Sequence, residues 1–297
     1  MMDASSFPLL CLPIKAIHNS LRCMEPKDII NISFCSNSTK HHVKSLNIKP
    51  LECFICIDQV VQIQVLIKPC RIFHSFLIPD TSEIKSFWDH IVYLFGNPRI
   101  DIYIHSTLMD FDSMCVIFEG LNINCLYVHP EDMDYGFYKK VLNQFSKLAK
   151  QLDLSSSLHP MGDFHDVLIQ NYDYITIEPM ADLKIDDLLI MNSLSIYVMD
   201  SQLTDKDINR FLKHWIMGGN PRLEHIYIEF QRRSNEEVFK GIKRRMVSPR
   251  RFEGFIGGAR ERRVVELTDG IEIWNEKGTK KATIKFKRTT VKMFVWH

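Results

Sequence analysis

The sequence contains no apolar run long enough to cross a membrane. Its most apolar stretches, Cys53–Ile57 and Val60–Ile67, are short, and Lys68 follows the second. The N-terminus lacks the basic start and the uninterrupted apolar run of a secretory signal, because Asp3 and Lys15 stand there. We therefore expect no membrane partner and a cytoplasmic or nuclear location, where the 8 cysteines stay reduced.

Sequence signatures of catalysis are absent as well. There is no Gly-x-Ser-x-Gly motif, no Walker phosphate loop and no Gly-x-Gly-x-x-Gly fingerprint. Cys53 and Cys56 form a lone Cys-x-x-Cys pair, which a strand would place on opposite faces. His159, Asp163 and His165 lie close together, but in a loop with Pro and Gly that positions ligands poorly. We expect no metal, no cofactor and no catalysis, although an enzyme with dispersed carboxylates stays open.

The residues that are present describe a folded chain with an uneven charge. Of 297 residues, 45% are hydrophobic and 25% are charged, which is typical of a globular protein with a sizeable core. The net charge is +1, yet Lys240–Lys292 contains 16 Lys or Arg against 6 Asp or Glu. Because arginine clusters bind carboxylates and phosphates, we predict here a surface for a substrate or another acidic partner. Its candidate residues are Lys243, Arg244, Arg245, Arg250 and Arg251.

Residues 7–48 are predicted to form a small helical domain. An apolar stripe at spacings of three and four indicates the first helix: Ile14, Ile17, Leu21 and Met24. Pro13 suits the first turn of this helix, Pro26 opens a second helix, and Ser36 can cap a third. So small a unit exposes apolar surface unless a partner or the rest of the chain covers it.

Residues 51–297 alternate between strand and helix patterns, which is typical of parallel βα units. Among the expected elements, a helix covers Tyr135–Leu152, a surface loop covers Arg250–Arg263, and a closing strand covers Val291–Trp296. The string Gly96-Asn97-Pro98-Arg99 reappears as Gly219-Asn220-Pro221-Arg222, each time after a helix that the glycine can end in a left-handed conformation. The echo indicates either a repeat-like array or two unrelated helix stops.

Two parts of the chain resemble known domains. Leu12-Pro13-Ile14-Lys15-Ala16-Ile17, followed by Pro26-Lys27-Asp28-Ile29-Ile30-Asn31-Ile32, resembles an F-box. Thr204–Ile208, Leu212–Glu224 and the end, Met293–His297, resemble the F-box-associated region of a large nematode family. The resemblance implies an α+β fold: a three-helix F-box over 7–48, then an α/β array resembling leucine-rich repeats over 51–297.

The same resemblance implies a function. Proteins of this family are similar to substrate-recruiting adaptors of cullin-type (SCF) ubiquitin ligases, whose F-box docks on a Skp-type linker protein while the C-terminal region holds a protein substrate. The motif positions that face the linker or the F-box core are occupied by Leu12, Pro13, Ile17, Leu21, Ile29 and Ile32. Thr39 departs from the family at about the place where many F-boxes carry tryptophan. The alternative is a basic module that binds nucleic acid or an acidic partner without a ligase; nucleic acid is disfavoured because aromatic residues are sparse in this segment.

Overall fold

The structure is a computed structural model, and it describes residues 9–67, 74–78, 81–154, 161–178, 183–230, 235–247, 249–254, 256, 262–287 and 289–296. The chain divides into two compact units. The first comprises Met1–Ile102 and Leu108–Asn122, and the second comprises Tyr103–Thr107 and Ile123–His297. Over the described ranges, no helix has the length and apolar character needed to cross a membrane.

The first unit opens with three helices: α1 (Ile14–Arg22), α2 (Pro26–Ser33) and α3 (Asn37–Ser45). Pro13 lies directly before α1 rather than within its first turn, and its carbonyl accepts the amides of Ala16 and Ile17 at 2.8 and 3.1 Å. Ser36 caps α3 through a reciprocal pair of hydrogen bonds with Thr39, each 3.1 Å long. The three helices bury a shared apolar core: Ile17, Leu21, Ile29, Ile30, Val43 and Leu46.

The rest of the first unit combines strands with two helices. Its elements are β1 (Pro50–Ile57), β2 (Val61–Ile67), β3 (His74–Ile78), α4 (Thr81–Phe95), β4 (Ile100–Ser106) and α5 (Phe111–Phe118), with residues 103–106 of β4 in the second unit. Strands β1, β2 and β3 form an antiparallel meander. Helix α4 ends as predicted, because Gly96 takes a left-handed φ of 73° and Asn97 one of 54°.

The second unit starts with five parallel strands connected by helices. Its elements are β5 (Ile123–Asp132), α6 (Tyr135–Phe145), β6 (Gln151–Leu154), α7 (His165–Leu168), β7 (Tyr174–Ile177), α8 (Ile185–Ile190), β8 (Ser195–Ser201), α9 (Asp205–Ile216) and β9 (His225–Phe230). Each strand pairs with the one before it, so the chain advances one strand per helical connection. This parallel array agrees with the α/β array resembling leucine-rich repeats that the family resemblance implied, and the α+β fold class is confirmed.

Antiparallel strands complete the second unit. They follow a short helix, and the elements are α10 (Asn235–Val238), β10 (Arg245–Met246), β11 (Arg250–Gly254), β12 (Arg263–Leu267), β13 (Ile271–Trp274), β14 (Lys281–Lys287) and β15 (Thr290–Trp296). Strand β15 pairs with β9, and the sheet continues through β14 and β13 to β10. The closing strand predicted over Val291–Trp296 is therefore confirmed.

Two element predictions are wrong. The helix expected over Tyr135–Leu152 ends at Phe145, and the alternating pattern of Gln151–Leu154 forms β6. The segment Arg250–Arg263, expected to be a surface loop, contributes β11 and the start of β12, while residues 255 and 257–261 lie outside the described part of the chain. The reason is apolar packing: Phe252 and Leu267 bury their side chains against Phe294 of β15.

The prediction for the repeated Gly-Asn-Pro-Arg string is also wrong in one detail. After α9 the left-handed glycine is Gly218, at φ 100°, rather than Gly219. Asn220 resembles Asn97 in also having a positive φ, 45°, a conformation that asparagine tolerates better than most residues. The two strings therefore share the left-handed asparagine, while the helix-ending glycine is shifted by one position.

Candidate functional site

An exposed apolar surface lies at the start of α1. Ile14 is 65% exposed and Leu10 is 44% exposed, and Pro13 between them is also exposed. We call Leu10, Pro13 and Ile14 the α1 patch. The three residues lie within five successive positions, and a cluster of exposed apolar side chains is a candidate surface for another protein to cover.

The six F-box positions singled out in the sequence fall into two groups. Ile17, Leu21 and Ile29 are at most 4% exposed and belong to the core of the helical domain. Leu12 and Ile32 are half-buried, and Pro13 is exposed. The sequence did not separate these groups, because Ile14 continues the same helical stripe as buried Ile17 and Leu21.

Thr39 contributes to helix α3 where many F-boxes carry tryptophan. Its side chain is buried, and its hydroxyl donates to the Ser36 carbonyl at 2.8 Å and accepts the Ser36 amide. The position therefore fixes the start of α3 by capping instead of supplying a large ring.

The parallel sheet of the second unit has one fully buried face, and its other face contains one row of paired residues that are mostly half-buried. Its side chains on the buried face include Leu126, Leu152, Ile175, Ile196 and Ile226, each at most 1% exposed. On the other face a register row crosses the sheet, and its members are Tyr127, Asp153, Thr176, Tyr197, Tyr227 and Lys292. We call these six residues the tyrosine row.

Aromatic stacking organises both ends of the tyrosine row. The rings of Tyr103 and Tyr127 stack with centroids 4.1 Å apart, and those of Tyr197 and Tyr227 stack at 4.2 Å. The Lys292 ammonium lies 4.9 Å from the centre of the Tyr227 ring, a cation–π contact. Half-buried tyrosines offer a large apolar face together with a polar tip, the combination enriched where proteins bind other proteins.

Asp153 gives the centre of the row a titratable group. Burial and the nearby Glu178 carboxylate raise the pKa of Asp153 to about 7, although a hydrogen bond with Thr176 opposes the shift. The Asp153 carboxyl is therefore partly protonated near neutral pH and can then donate a hydrogen bond.

A groove of about 950 Å³ lies where the β11–β12 hairpin meets strands β14 and β15. Its apolar lining includes Leu267 and Phe294, and its basic lining includes Arg244, Lys287 and Lys292. Lys292 belongs both to the groove and to the tyrosine row, so the two surfaces are continuous. The sequence analysis did not single out the β14 and β15 lysines, and the only signal for them was their presence in the basic segment.

The five basic residues predicted as a partner surface have different environments. Arg245 and Arg250 hold the buried carboxylate of Glu272, with Arg245 Nε 2.7 Å from Oε1 and Arg250 Nη1 3.0 Å from Oε2. Arg244 stacks its guanidinium over the Phe239 ring at 4.7 Å. Lys243 and Arg251 are exposed. The structure thus pairs two of the five with an internal carboxylate, and it places Arg244 and Arg245 in the groove.

The remaining polar clusters of the sequence do not converge on a site. Cys53 is buried and Cys56 is half-buried, and burial raises the pKa of the Cys53 thiol to about 12. The His165 ring lies 3.0 Å from the Asp187 carboxylate, Asp163 contacts Tyr135 and Lys139, and His159 lies outside the described residues. Within the part of the chain that the structure describes, no group of three or more His, Cys, Asp or Glu is arranged to hold a metal ion.

Comparison with known proteins assigns both parts of the chain. The F-box domain family matches residues 9–51, and the family described as F-box associated matches residues 163–228. A curated relative, "F-box associated domain-containing protein sdz-33" of Caenorhabditis elegans, is 25% identical over 242 residues, which cover 76% of this chain and 80% of the relative. No solved structure matches the chain significantly.

These matches and the fold define a class of protein that joins a small helical domain to an α/β region. Within that class, an F-box domain and an F-box-associated domain are both found in the chain, as the sequence resemblance predicted. An F-box implies, in general, the role of a ubiquitin ligase adaptor that binds a Skp-type protein in SCF complexes. Phe7, Pro8 and His297, which belong to the predicted domains, lie outside the described residues.

Proposed function

We propose that this chain is a non-catalytic, substrate-recruiting subunit of a cullin-type ubiquitin ligase. The exposed α1 patch on the F-box carries the proposal, because Leu10, Pro13 and Ile14 present apolar surface that a partner protein can cover. In this arrangement the Skp-type linker contacts the α1 patch together with Leu12 and Ile32. The buried Ile17, Leu21 and Ile29 hold the helices that present it.

The second unit is proposed to hold the protein substrate. The tyrosine row and the adjoining groove supply a large, half-buried aromatic and basic surface, which is suited to protein contact. Lys243, Arg244 and Arg251 can add favourable electrostatics for an acidic substrate, whereas Arg245 and Arg250 are engaged by Glu272. The chain then acts by proximity, because holding a substrate beside a ubiquitin-carrying enzyme raises its effective concentration.

Co-purification with a Skp-type linker protein tests this function. Ile14→Asp is the informative variant, because Ile14 is exposed and occupies the first turn of α1, where an acidic side chain is favoured by the helix dipole. The variant should therefore fold normally and bind the linker at least about tenfold more weakly, since a charge would be placed in an apolar interface. Val116→Asp is the matched control, because Val116 is 57% exposed on α5, outside the F-box match.

Ile17→Asp is unsuitable as a binding variant. Ile17 is 2% exposed, and a buried carboxylate would unfold the helical domain and remove binding indirectly. Binding by wild-type protein that survives Val116→Asp and is lost in folded Ile14→Asp supports the proposal. Failure of well-folded wild-type protein to bind the linker overturns it.

A further inference from the structure

The groove beside β14 and β15 contains an unfavourable arrangement of charge. Lys285 and Lys292 are direct cross-strand partners, and Lys287 lies two residues beyond Lys285 on the same strand. Like charges directly opposite each other destabilise a sheet. Burial and the ammonium groups of Lys287 and Lys285 lower the pKa of Lys292.

Only one of the three lysines Lys285, Lys287 and Lys292 is neutralised by a carboxylate among the described residues. Lys285 pairs with Asp269 at 2.6 Å and holds the pKa of that carboxyl below its usual range. Across the described residues, neither Lys287 nor Lys292 has a carboxylate partner, and Lys292 instead contacts the Tyr227 ring. Among the described residues that line the groove, five are basic and two are acidic, and one of the five, Arg245, is engaged by Glu272. An anion bound in the groove would relieve the repulsion.

Apolar surface lies next to these cations. Leu267 of β12 packs in one apolar cluster with Phe294 of β15. Ile256 and Val265 are only partly buried and line the groove. Met246 is 74% exposed and also lines it. A small inorganic anion would leave this surface uncovered, whereas a polypeptide with an apolar side chain would bury it.

The spacing of the two unpaired lysines matches an extended chain. Lys287 and Lys292 are diagonal neighbours on antiparallel strands, and the Cα atoms of such neighbours lie about 7–8 Å apart. Alternate side chains of an extended peptide repeat at about 7 Å. Two carboxylates separated by one residue therefore match the spacing of the two lysine positions.

We infer that this groove binds an extended acidic peptide segment, with carboxylates at alternate positions on Lys287 and Lys292 and an apolar side chain against the hairpin. Arg244, exposed above the Phe239 ring, adds a third positive charge at the rim. The inference names a substrate class for the second unit, and its meaning as a ligase substrate rests on the proposed function. The peptide binding itself does not require the linker protein.

Fluorescence anisotropy on the full chain tests the inference, with a short fluorescein-labelled peptide that alternates Glu around a central Leu. Lys292→Gln and Lys287→Gln should each weaken binding about tenfold, the effect of losing one well-placed charge contact. Lys281→Gln is the matched control, because Lys281 is an exposed lysine of the same strand that does not line the groove. Met246→Ser should weaken binding by removing apolar contact.

Three results overturn the inference: equal binding of a peptide with Gln in place of Glu, binding restricted to a phosphorylated peptide, and equal weakening by all three lysine variants. The last result, together with equal affinity for single-stranded DNA, would show nonspecific attraction to the basic segment. The assay is independent of the linker test, since Ile14→Asp should bind the peptide like wild type. Failure of one proposal is thereby distinguished from failure of the other.

Discussion

The Ser33 hydroxyl lies 2.7 Å from Nε2 of His90, inside the first unit. Ser33 donates to the Ile30 carbonyl at 2.5 Å, so it must accept from His90, which assigns the ring proton to Nε2. Phe34 stacks on the same imidazole, with centroids 3.8 Å apart. The end of helix α2 is thus connected to helix α4 by a neutral histidine.

This pair predicts acid sensitivity. Burial and the Lys40 charge lower the pKa of His90 to about 4, whereas a histidine in the unfolded chain titrates near about 6.5. As pH falls through this interval, protons bind the unfolded chain first, so stability is lost from about pH 6.5 downward. His90→Gln keeps a donor for Ser33 and should reduce the loss of unfolding free energy between pH 7 and pH 5, measured by urea denaturation. An unchanged pH dependence would contradict the assignment.

Glu272 predicts non-additive effects on stability. Its carboxylate is fully buried and held by Arg245 and Arg250 from two different strands. Either Arg245→Met or Arg250→Met leaves one partner and should cost about 1–2 kcal/mol. The double variant leaves a buried charge unpaired and should cost more than the sum, about 3–5 kcal/mol. A double-mutant cycle compares the unfolding free energies of the single and double variants in urea. Strict additivity would contradict the prediction, because it would show that the two arginines act independently.

The Asn220 side chain supplies a hydrogen-bond donor to buried carbonyls of the second unit, and we expect stability to depend on it. Its side-chain Nδ2 donates to the Met191 carbonyl at 2.7 Å and to the Leu188 carbonyl at 3.4 Å. Asn220→Asp should destabilise the unit by about 1–3 kcal/mol, because a carboxylate cannot donate to these buried carbonyls, while aspartate still tolerates the positive φ of 45°. Asn220→Ala removes both the donor and a residue suited to this φ, so it should also destabilise the unit. Thermal unfolding measures both variants, and an Asp variant as stable as wild type would contradict the donor role.

Asp153 predicts a pH dependence of opposite sign. Its folded pKa of about 7 lies above the usual 3.8, so the stability it contributes is lost as pH rises through that interval. Asp153→Asn mimics the protonated carboxyl and should remove this loss. Urea unfolding at pH 5 and pH 8 gives the change in unfolding free energy between the two pH values. An identical change in wild type and variant would show that Asp153 ionises normally.

Much of the local structure could be predicted from sequence pattern. Val61–Ile67 alternates apolar and polar residues because one face of β2 is buried, and Thr204 with Asp207 forms a capping box at the start of α9, a pattern that is local in sequence. The hairpin of β11 and β12 could not be predicted this way. Its Phe252 and Leu267 are buried only because Phe294, distant in sequence, lies against them.

The candidate site shows the same division. F-box residues such as Pro13 and Ile29 were identified from a local motif, but the motif did not predict their exposure. Ile14 and Ile17 belong to one helical stripe, yet Ile14 is 65% exposed and Ile17 is 2% exposed. The tyrosine row escaped sequence analysis altogether. Tyr197 and Tyr227 become neighbours only through strand pairing.

The sequence by itself determined the two domain resemblances, the α+β class and the concentration of positive charge near the C-terminus, since these depend on local motif, period and composition. Only the tertiary structure decided which charges are available to a partner. Arg245 and Arg250 are engaged by Glu272. Lys292 and Lys287 are instead brought together in an apolar groove by the register of two antiparallel strands. Pairing across strands is a long-range property, and no local pattern specifies it.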